Sequence, residues 1–112
     1  MSFIDLFRHP EGLVDLSPLS VKEMMDSNDD LKVIDVRTSS EFSRFHLDGA
    51  MHIPLGRIVK QSEDLNKGTG YILICKTGHR SQAAAAELFR KGFTNLYHLK
   101  GGMNAWNREF KK

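Results

Sequence analysis

The strongest constraint on the fold is a short apolar run that ends in the chain's only cysteine and is followed by a glycine turn and a helical pattern. Residues 71–75 follow Gly68-Thr69-Gly70 and have the length and composition of a buried strand. Residues 81–91 are rich in alanine, leucine and glutamate at helical spacing, and Gly92 stands where a helix would end. The sequence therefore predicts that Cys75 ends a strand and begins a tight loop that enters a helix.

This predicted loop suits an anionic sulfur. Gly78 permits the left-handed backbone that lets successive N–H groups curl around an anion. The helix N-terminus adds partial positive charge, and Lys76 and Arg80 add full charges near Cys75. All of these groups favour the thiolate form of a cysteine. The alternative is a small buried cysteine that only packs the core, but that interpretation explains neither the glycine turn nor the flanking cations.

Three segments of the chain resemble the rhodanese (sulfurtransferase) family, and together they span roughly residues 13–108. The segment Cys75-x-x-Gly78-x-Arg80-Ser81 resembles the family's active-site loop. The two family signatures are matched by Asp35-Val36-Arg37 and by Gly101-Gly102-Met103-Asn104-Ala105-Trp106. A further segment, residues 45–54, is similar to a family segment but has Phe45 where glycine is usual.

The resemblance implies a reaction and a set of site residues. Cys75 would be the catalytic residue, and substrate would be bound by the rest of the loop, namely Lys76, Thr77, Gly78, His79, Arg80 and Ser81. For His79, a side chain that simply faces water is an equal alternative. The thiolate attacks the outer sulfur of thiosulfate or a similar donor, sulfite leaves, and Cys75 carries a persulfide. Cyanide or a thiol then removes the terminal sulfur, and no cofactor is required. A protein sulfur acceptor is an alternative partner.

Strand-like and helical patterns alternate along the whole chain, which predicts an α/β domain whose mainly parallel sheet is covered on both faces. The expected strands cover residues 13–16, 31–36, 71–75 and 95–99, with a short one between Gly49 and Pro54. We expect residues 31–36 to form the central strand. The resemblance implies the three-layer rhodanese-like fold with about five strands, formed by residues 1–112 as one domain.

Local signals predict how several helices begin and pack. Ser17-Pro18 predicts a helix start, and this helix should bury Leu19 and Met24. A second helix should run from Arg57 to Leu65. The glycine pair before Met103 should let the backbone pass close to the Cys75 loop, with Met103 and Trp106 packing the last helix on the core.

Charged and histidine side chains outside the loop are expected to serve the architecture. Thr38 should cap a helix with Glu41 at its third position, and Arg37 lies close enough in sequence to pair with Glu41. His46 is expected to satisfy a backbone group. Together with His52 it lacks partners at ligand spacing, so we expect no metal site.

Composition limits the remaining functions. At 112 residues, with 40% hydrophobic and 27% charged residues, the chain is sized for one globular core. The net charge is only +2 and the basic residues are dispersed, so we expect no nucleic-acid binding. One cysteine excludes an internal disulfide, and a functional thiol favours a reducing compartment, so we expect a cytoplasmic protein. No run reaches transmembrane length, so we expect no membrane partner. A monomer is expected. Residues 1–12 are expected to form an amphipathic turn.

Two rival functions stay open on the sequence alone. Cysteine phosphatases also hold an anion between cysteine and arginine, but their pattern is Cys-x5-Arg, and here Cys75 to Arg80 is Cys-x4-Arg. A binding module, or a sulfur relay that acts only on a protein partner, is the other rival. Activity with thiosulfate and cyanide distinguishes these possibilities.

Overall fold

The computed structural model describes residues 8–27 and 30–111 of the chain. Within these ranges the strands are β1 (Val14–Leu16), β2 (Leu31–Asp35), β3 (Met51–His52), β4 (Gly70–Ile74) and β5 (Leu96–Leu99). The helices are α1 (Pro18–Ser27), α2 (Ser39–Arg44), α3 (Ile58–Gln61), α4 (His79–Arg90) and α5 (Gly102–Phe110). The predicted alternation of strands and helices is confirmed.

The strands form a sheet in the order β1-β5-β4-β2-β3, and each neighbouring pair is parallel. The predicted five-stranded parallel sheet is therefore confirmed. The central strand is β4, whereas the sequence pattern predicted residues 31–36 there; β2 lies between β4 and β3. All residues of β4 are buried, as expected for a parallel strand covered on both faces.

Alternate strand residues point into two apolar layers, one on each face of the sheet. On one face, Ile34 and Leu73 pack in a cluster with Leu88 of α4. On the other face, Ile72 packs in a cluster with Met103 of α5, and Trp106 packs against the same cluster. Helices therefore cover both faces, and the expected packing of Met103 and Trp106 is confirmed.

Helix α1 starts as predicted but turns a different side chain into the core. It begins at Pro18, and the Ser17 hydroxyl accepts the Ser20 N–H at 3.1 Å. The expected burial of Leu19 is wrong, because this side chain is 52% exposed while Val21 is fully buried. Each residue turns about 100° around a helix, so these two positions cannot face the same layer. Met24 is partly buried against the core, as predicted.

The helix expected from Arg57 to Leu65 is broken into short pieces. Turns of 3-10 helix at Leu55–Arg57 and Ser62–Asp64 flank the four residues of α3. The Ser62 hydroxyl donates to the Val59 carbonyl at 2.8 Å, so it competes for a backbone acceptor near the end of α3. A single long helix is therefore not formed here.

The expected amphipathic turn of residues 1–12 falls largely on residues 1–7, which lie outside the described residues. No helix in the two described ranges has both the length and the apolar character needed to cross a bilayer.

Candidate active site

Cys75 follows the last residue of β4 at the carboxyl edge of the sheet and is fully buried on the α4 side. The loop turns back at Gly78, whose φ of 101° lies in the left-handed region that glycine adopts without strain. This turn directs the Gly78 N–H at the cysteine sulfur, with an N–Sγ distance of 2.9 Å. The predicted strand–loop–helix arrangement is confirmed, and it places a backbone donor on the sulfur.

Helix α4 begins at His79, two residues earlier than the sequence pattern predicts. His79 and Arg80 therefore belong to its first turn, and the loop proper is shorter than expected. The start of the helix, where backbone N–H groups carry partial positive charge, follows directly on the glycine that touches the sulfur. An anion held on Cys75 would lie in this field.

The start of α5 holds the other side of the loop. The Met103 N–H donates to the Cys75 carbonyl at 2.7 Å, and the Asn104 N–H donates to the Lys76 carbonyl at 3.0 Å. Gly102 has a φ of 62°, and a Cβ there would overlap backbone atoms of Lys76 and Cys75. The expected close approach at the glycine pair is confirmed, and Gly102 is the residue that permits it.

Arg80 is bound to Glu41 of α2 through two parallel hydrogen bonds, with Nη1–Oε1 at 2.7 Å and Nη2–Oε2 at 2.9 Å. Glu41 also caps α2 together with Thr38, as predicted. The hydrogen bonds from Arg80 hold the pKa of the Glu41 carboxyl at about 2, and the same bonds raise the pKa of Arg80. The pair ties the first turn of α4 to α2.

The expected pairing of Arg37 with Glu41 is wrong. Arg37 instead binds Asp35, with Nε–Oδ1 at 3.0 Å and Nη2–Oδ2 at 2.7 Å, and both residues are buried. Its Nη2 also donates to the Phe45 carbonyl at 2.7 Å. Arg37 and Asp35 are closer in sequence and leave the same strand end, so Glu41 is free to reach Arg80. The interpretation of the Asp35–Arg37 signature as architecture is supported by this geometry.

The exposed residues between Cys75 and Arg80 are Lys76 and Thr77 of the loop and His79 of the first turn of α4. The Thr77 hydroxyl and His79 Nδ1 are 3.3 Å apart, so these two side chains lie together at the loop surface. Lys76 borders an open cleft of about 300 Å³. Among the residues that the structure describes, the walls of this cleft carry cationic side chains from several elements and one carboxylate, namely Arg37, Arg44, Lys76, Lys111 and Glu41.

Ser81 faces the protein interior, below the sulfur. It is fully buried, and its hydroxyl lies 3.5 Å from the Cys75 sulfur and 2.8 Å from His98 Nδ1. His98 Nε2 in turn lies 2.7 Å from an Asp15 carboxylate oxygen, which His9 Nε2 also approaches to 2.7 Å. The loop thus connects to the side chains of His98, Asp15 and His9, which no sequence pattern marks as part of the site.

Ionisation in this cluster follows from burial and hydrogen bonding. Burial lowers the pKa of His98 below its ordinary value, although the bond to Asp15 opposes the effect. Burial raises the pKa of Asp15, but hydrogen bonds from His9 and His98 outweigh it and leave that pKa below the usual range. A neutral imidazole therefore faces an ionised carboxylate. The parallel pairing of β1 with β5 sets Asp15 opposite His98. The sequence alone does not show which strands pair, so it gives no sign of this contact.

The two histidines weighed as metal ligands bind backbone groups. His46 Nδ1 lies 2.9 Å from the Phe42 carbonyl, as expected, and His52 Nε2 lies 2.8 Å from the Arg37 carbonyl. Both rings stack on Phe42, at centroid distances of 3.8 and 4.4 Å.

A larger cavity of about 640 Å³ opens around the starts of β2 and β4, at the sheet edge opposite Cys75.

Comparison with known proteins points to one family. The family model for the Rhodanese-like domain matches residues 17–109. The chain is 34% identical over 97 residues to the putative sulfurtransferase YtwF of Bacillus subtilis, which covers 87% of this chain and 93% of that protein. It is 34% identical over 95 residues to the putative sulfur carrier protein YrkF of the same bacterium, covering 85% of this chain but only about half, 51%, of YrkF. The crystal structure of SSP1007 from Staphylococcus saprophyticus superposes with a TM-score of 0.77 at 27% identity, covering 87% of this chain and 96% of that chain.

Proposed function

The chain belongs to the rhodanese-like domain family, and from that premise we propose that it is a sulfurtransferase in which Cys75 carries a sulfane sulfur as a persulfide. Its relatives are named as a putative sulfurtransferase and a putative sulfur carrier, which supports sulfur transfer as the general role. The observation that carries the proposal is the 2.9 Å hydrogen bond from the Gly78 N–H to the Cys75 sulfur. A backbone donor fixed on a sulfur atom stabilises negative charge there without having to reorganise.

The proposed reaction has two displacement steps. In the first, the Cys75 sulfur attacks the outer sulfur of thiosulfate or a similar donor, and sulfite leaves with the electron pair of the broken S–S bond. In the second, cyanide or a thiol attacks the terminal sulfur of the persulfide, and the Cys75 sulfur leaves with its electron pair. No electrons are gained or lost overall, so the two steps need no cofactor.

Within the loop, we assign anion binding to Lys76 and to the backbone of residues 76–80. Lys76 is exposed and borders the cationic cleft, so a negatively charged donor or acceptor can approach it. Thr77 and His79 lie at the same surface and are proposed to contact the substrate. Arg80 is proposed to act mainly by fixing the loop, because Glu41 already binds two of its nitrogens.

A protein is the second acceptor that we consider, alongside cyanide and small thiols. The sulfur-carrier name of YrkF and the excess of cations along the cleft favour an acidic protein surface or terminus. The proposed place of action is the cytoplasm, where reducing conditions keep the thiol available.

Steady-state turnover of thiosulfate and cyanide by the purified protein tests this function. We expect thiocyanate formation by the wild type and none by Cys75→Ser, with circular dichroism confirming that the variant is folded. Persulfide formation without cyanide turnover would instead indicate a relay to a protein acceptor. The absence of both persulfide and turnover would contradict the proposed function.

A further inference from the structure

A continuous line of hydrogen-bonding groups runs from the sulfur into the core. The Cys75 sulfur lies 3.5 Å from Ser81 Oγ, which lies 2.8 Å from His98 Nδ1, and His98 Nε2 lies 2.7 Å from Asp15 Oδ1. Ser81 and His98 are buried, with exposed fractions of 0% and 2%. A buried imidazole costs desolvation that an apolar side chain at this strand position would avoid, so packing alone does not account for it.

We propose that Ser81 and His98 form a proton relay for Cys75, in which Asp15 holds the His98 ring and stabilises its protonated form. The proposal rests on the sulfurtransferase function above and goes beyond it by stating where the thiol proton goes. Ser81 contacts the reacting sulfur directly. His98 acts through Ser81, and Asp15 acts through His98, so both are positioning residues.

Ser81 has both a donor and a free acceptor with which to pass on a proton. The ionised carboxylate of Asp15 accepts, so the proton of neutral His98 is on Nε2 and its Nδ1 accepts from the Ser81 hydroxyl. A lone pair of Ser81 is then left to accept the Cys75 S–H. The hydroxyl carries only one proton, yet the Gly78 carbonyl also lies 3.0 Å from Ser81 Oγ. Ser81 can therefore exchange acceptors with little movement.

The transfer balances in both half-reactions. As the Cys75 sulfur attacks the donor, its S–H proton moves to Ser81 Oγ, and the former Ser81 hydroxyl proton moves to His98 Nδ1. The products are a persulfide and an imidazolium that faces the Asp15 carboxylate, while sulfite takes the electron pair of the donor's S–S bond. When the acceptor removes the outer sulfur, the two protons move back and the Cys75 thiol is restored.

The charges around His98 fit the role of a base. Burial opposes the protonated ring most strongly, Asp15 on β1 favours it, and electrostatic interactions with His9 and Lys100 oppose it further. The other polar groups along the line are Ser81 on α4 and, beyond it, Cys75; Arg80 on the first turn of α4 is held by Glu41. Because burial outweighs the stabilisation by Asp15, the pKa of His98 is lowered and the ring is neutral near pH 7. A neutral ring can accept a proton.

The test compares His98→Gln with a matched control, His46→Gln, whose exposed ring stacks on Phe42 and lies 2.9 Å from the Phe42 carbonyl, away from the relay. Two rates are measured from pH 5 to 10: persulfide formation from thiosulfate, and alkylation of Cys75 by iodoacetamide. The second needs no sulfur donor, only access of the reagent to the buried Cys75 sulfur, and therefore reports on the relay even if thiosulfate is not a donor. A wild type that alkylates normally but takes up no sulfur would overturn the proposed function and not the relay.

For His98→Gln we expect both rates at pH 7 to fall at least about tenfold, with the thiosulfate KM within about twofold of wild type. Its rates should then rise with pH and approach those of wild type when hydroxide removes the proton directly. Wild type and His46→Gln should instead level off near neutral pH and lose rate in acid, where His98 becomes protonated. Asp15→Asn should show a smaller loss than His98→Gln.

Ser81→Ala is the second variant, and it decides the matter if His98→Gln fails to fold. It removes the middle of the relay, so it should reproduce the altered pH profile, and adding His98→Gln to it should cause little further loss. The relay is overturned if either folded variant keeps the wild-type pH profile with rates within about twofold. A lowered urea midpoint with an unchanged profile would likewise mean that these residues serve packing only.

Discussion

At the scale of single residues, the structure divides the positive charge of the loop into two kinds. Lys76 is exposed beside the cleft, whereas Arg80 is fixed by two hydrogen bonds to Glu41. A charge already paired with a carboxylate contributes less to binding a new anion than an exposed one does. Removing Arg80 should therefore mainly affect stability, whereas removing Lys76 should mainly affect anion binding.

Replacing Arg80 by alanine should lower stability more than it lowers activity per folded molecule. Losing two charge-assisted bonds to a partly buried carboxylate should cost about 1–3 kcal/mol of unfolding free energy. Urea denaturation of Arg80→Ala, Glu41→Gln and the double variant measures this, and the double variant should lose little more than either single one. Lys76→Ala serves as the control, with stability nearly unchanged and the thiosulfate KM raised about 5–10-fold. An Arg80→Ala variant of normal stability with a large loss of kcat/KM would assign Arg80 to substrate binding instead.

The low pKa of Glu41 predicts a specific loss of stability in acid. Its carboxyl has a pKa of about 2 in the folded protein against an ordinary 4.5, so its stabilising contribution is complete above pH 4.5 and disappears as the pH falls towards 2. The gap in urea midpoint between wild type and Glu41→Gln should therefore be full at pH 7 and shrink between pH 4.5 and pH 2. A gap that stays constant over this interval would show that the ion pair does not carry the difference.

Contacts between residues close in sequence could be predicted from the sequence, whereas contacts between distant residues could not. The Thr38–Glu41 cap is predictable because it joins residues three apart, and so is the loop that presents Cys75. Arg80 and Glu41 are 39 positions apart, so no local pattern links them. The predicted ion pair between Arg37 and Glu41 was wrong because it rested on sequence proximity alone. Asp35 lies two residues from Arg37, nearer than Glu41, and binds it instead.

At the scale of secondary structure elements, the site is a strand end and two helix starts brought together. Cys75 leaves β4, α4 begins directly after Gly78, and the first N–H groups of α5 bind the loop carbonyls of Cys75 and Lys76. The elements themselves were predictable from apolar runs and glycines. The start of α4 at His79, the outward side of α1 and the break around α3 depend on tertiary packing that a single element does not encode.

Gly102→Ala should damage both the fold and the site. Its φ of 62° disfavours a side chain, and a Cβ would overlap the Lys76 backbone, so we expect a loss of about 2–4 kcal/mol in unfolding free energy. Gly56→Ala is the matched control, because a Cβ there meets nothing within 4 Å. Urea midpoints compare the two variants. Equal stability of both would mean that α5 does not press on the loop as closely as described.

At the scale of the whole molecule, the parallel sheet brings Cys75 and the starts of α4 and α5 to its carboxyl edge. The central position of β4 places Cys75 between α4 and α5, and the pairing of β1 with β5 brings Asp15 beside His98. The α/β class and parallel sheet follow from alternating patterns along the sequence. The strand order does not, and for that reason the side chains that β1 and β5 contribute beneath the loop were missed.

The size of the loop predicts which chemistry the molecule performs. Cys75 to Arg80 spans six residues, one fewer than the phosphatase pattern, and Arg80 is turned to Glu41. Donors must lie about 2.7–3.1 Å from the charged atom, so one residue of loop length changes what can be bound. We expect no turnover of aryl phosphates, and impaired sulfur transfer after insertion of a glycine between Gly78 and His79. Efficient phosphate hydrolysis that disappears in Cys75→Ser would speak for the rival function.

The central claim is that Cys75 is the sulfur carrier, and intact-mass measurement after incubation with thiosulfate tests it most directly. The wild type should gain the mass of one sulfur atom, cyanide should remove it, and peptide mapping should place it on Cys75. Cys75→Ser should stay folded and gain no mass. A sulfur adduct on Cys75→Ser, or a wild type that stays unmodified by thiosulfate and by other sulfane donors, would contradict the account.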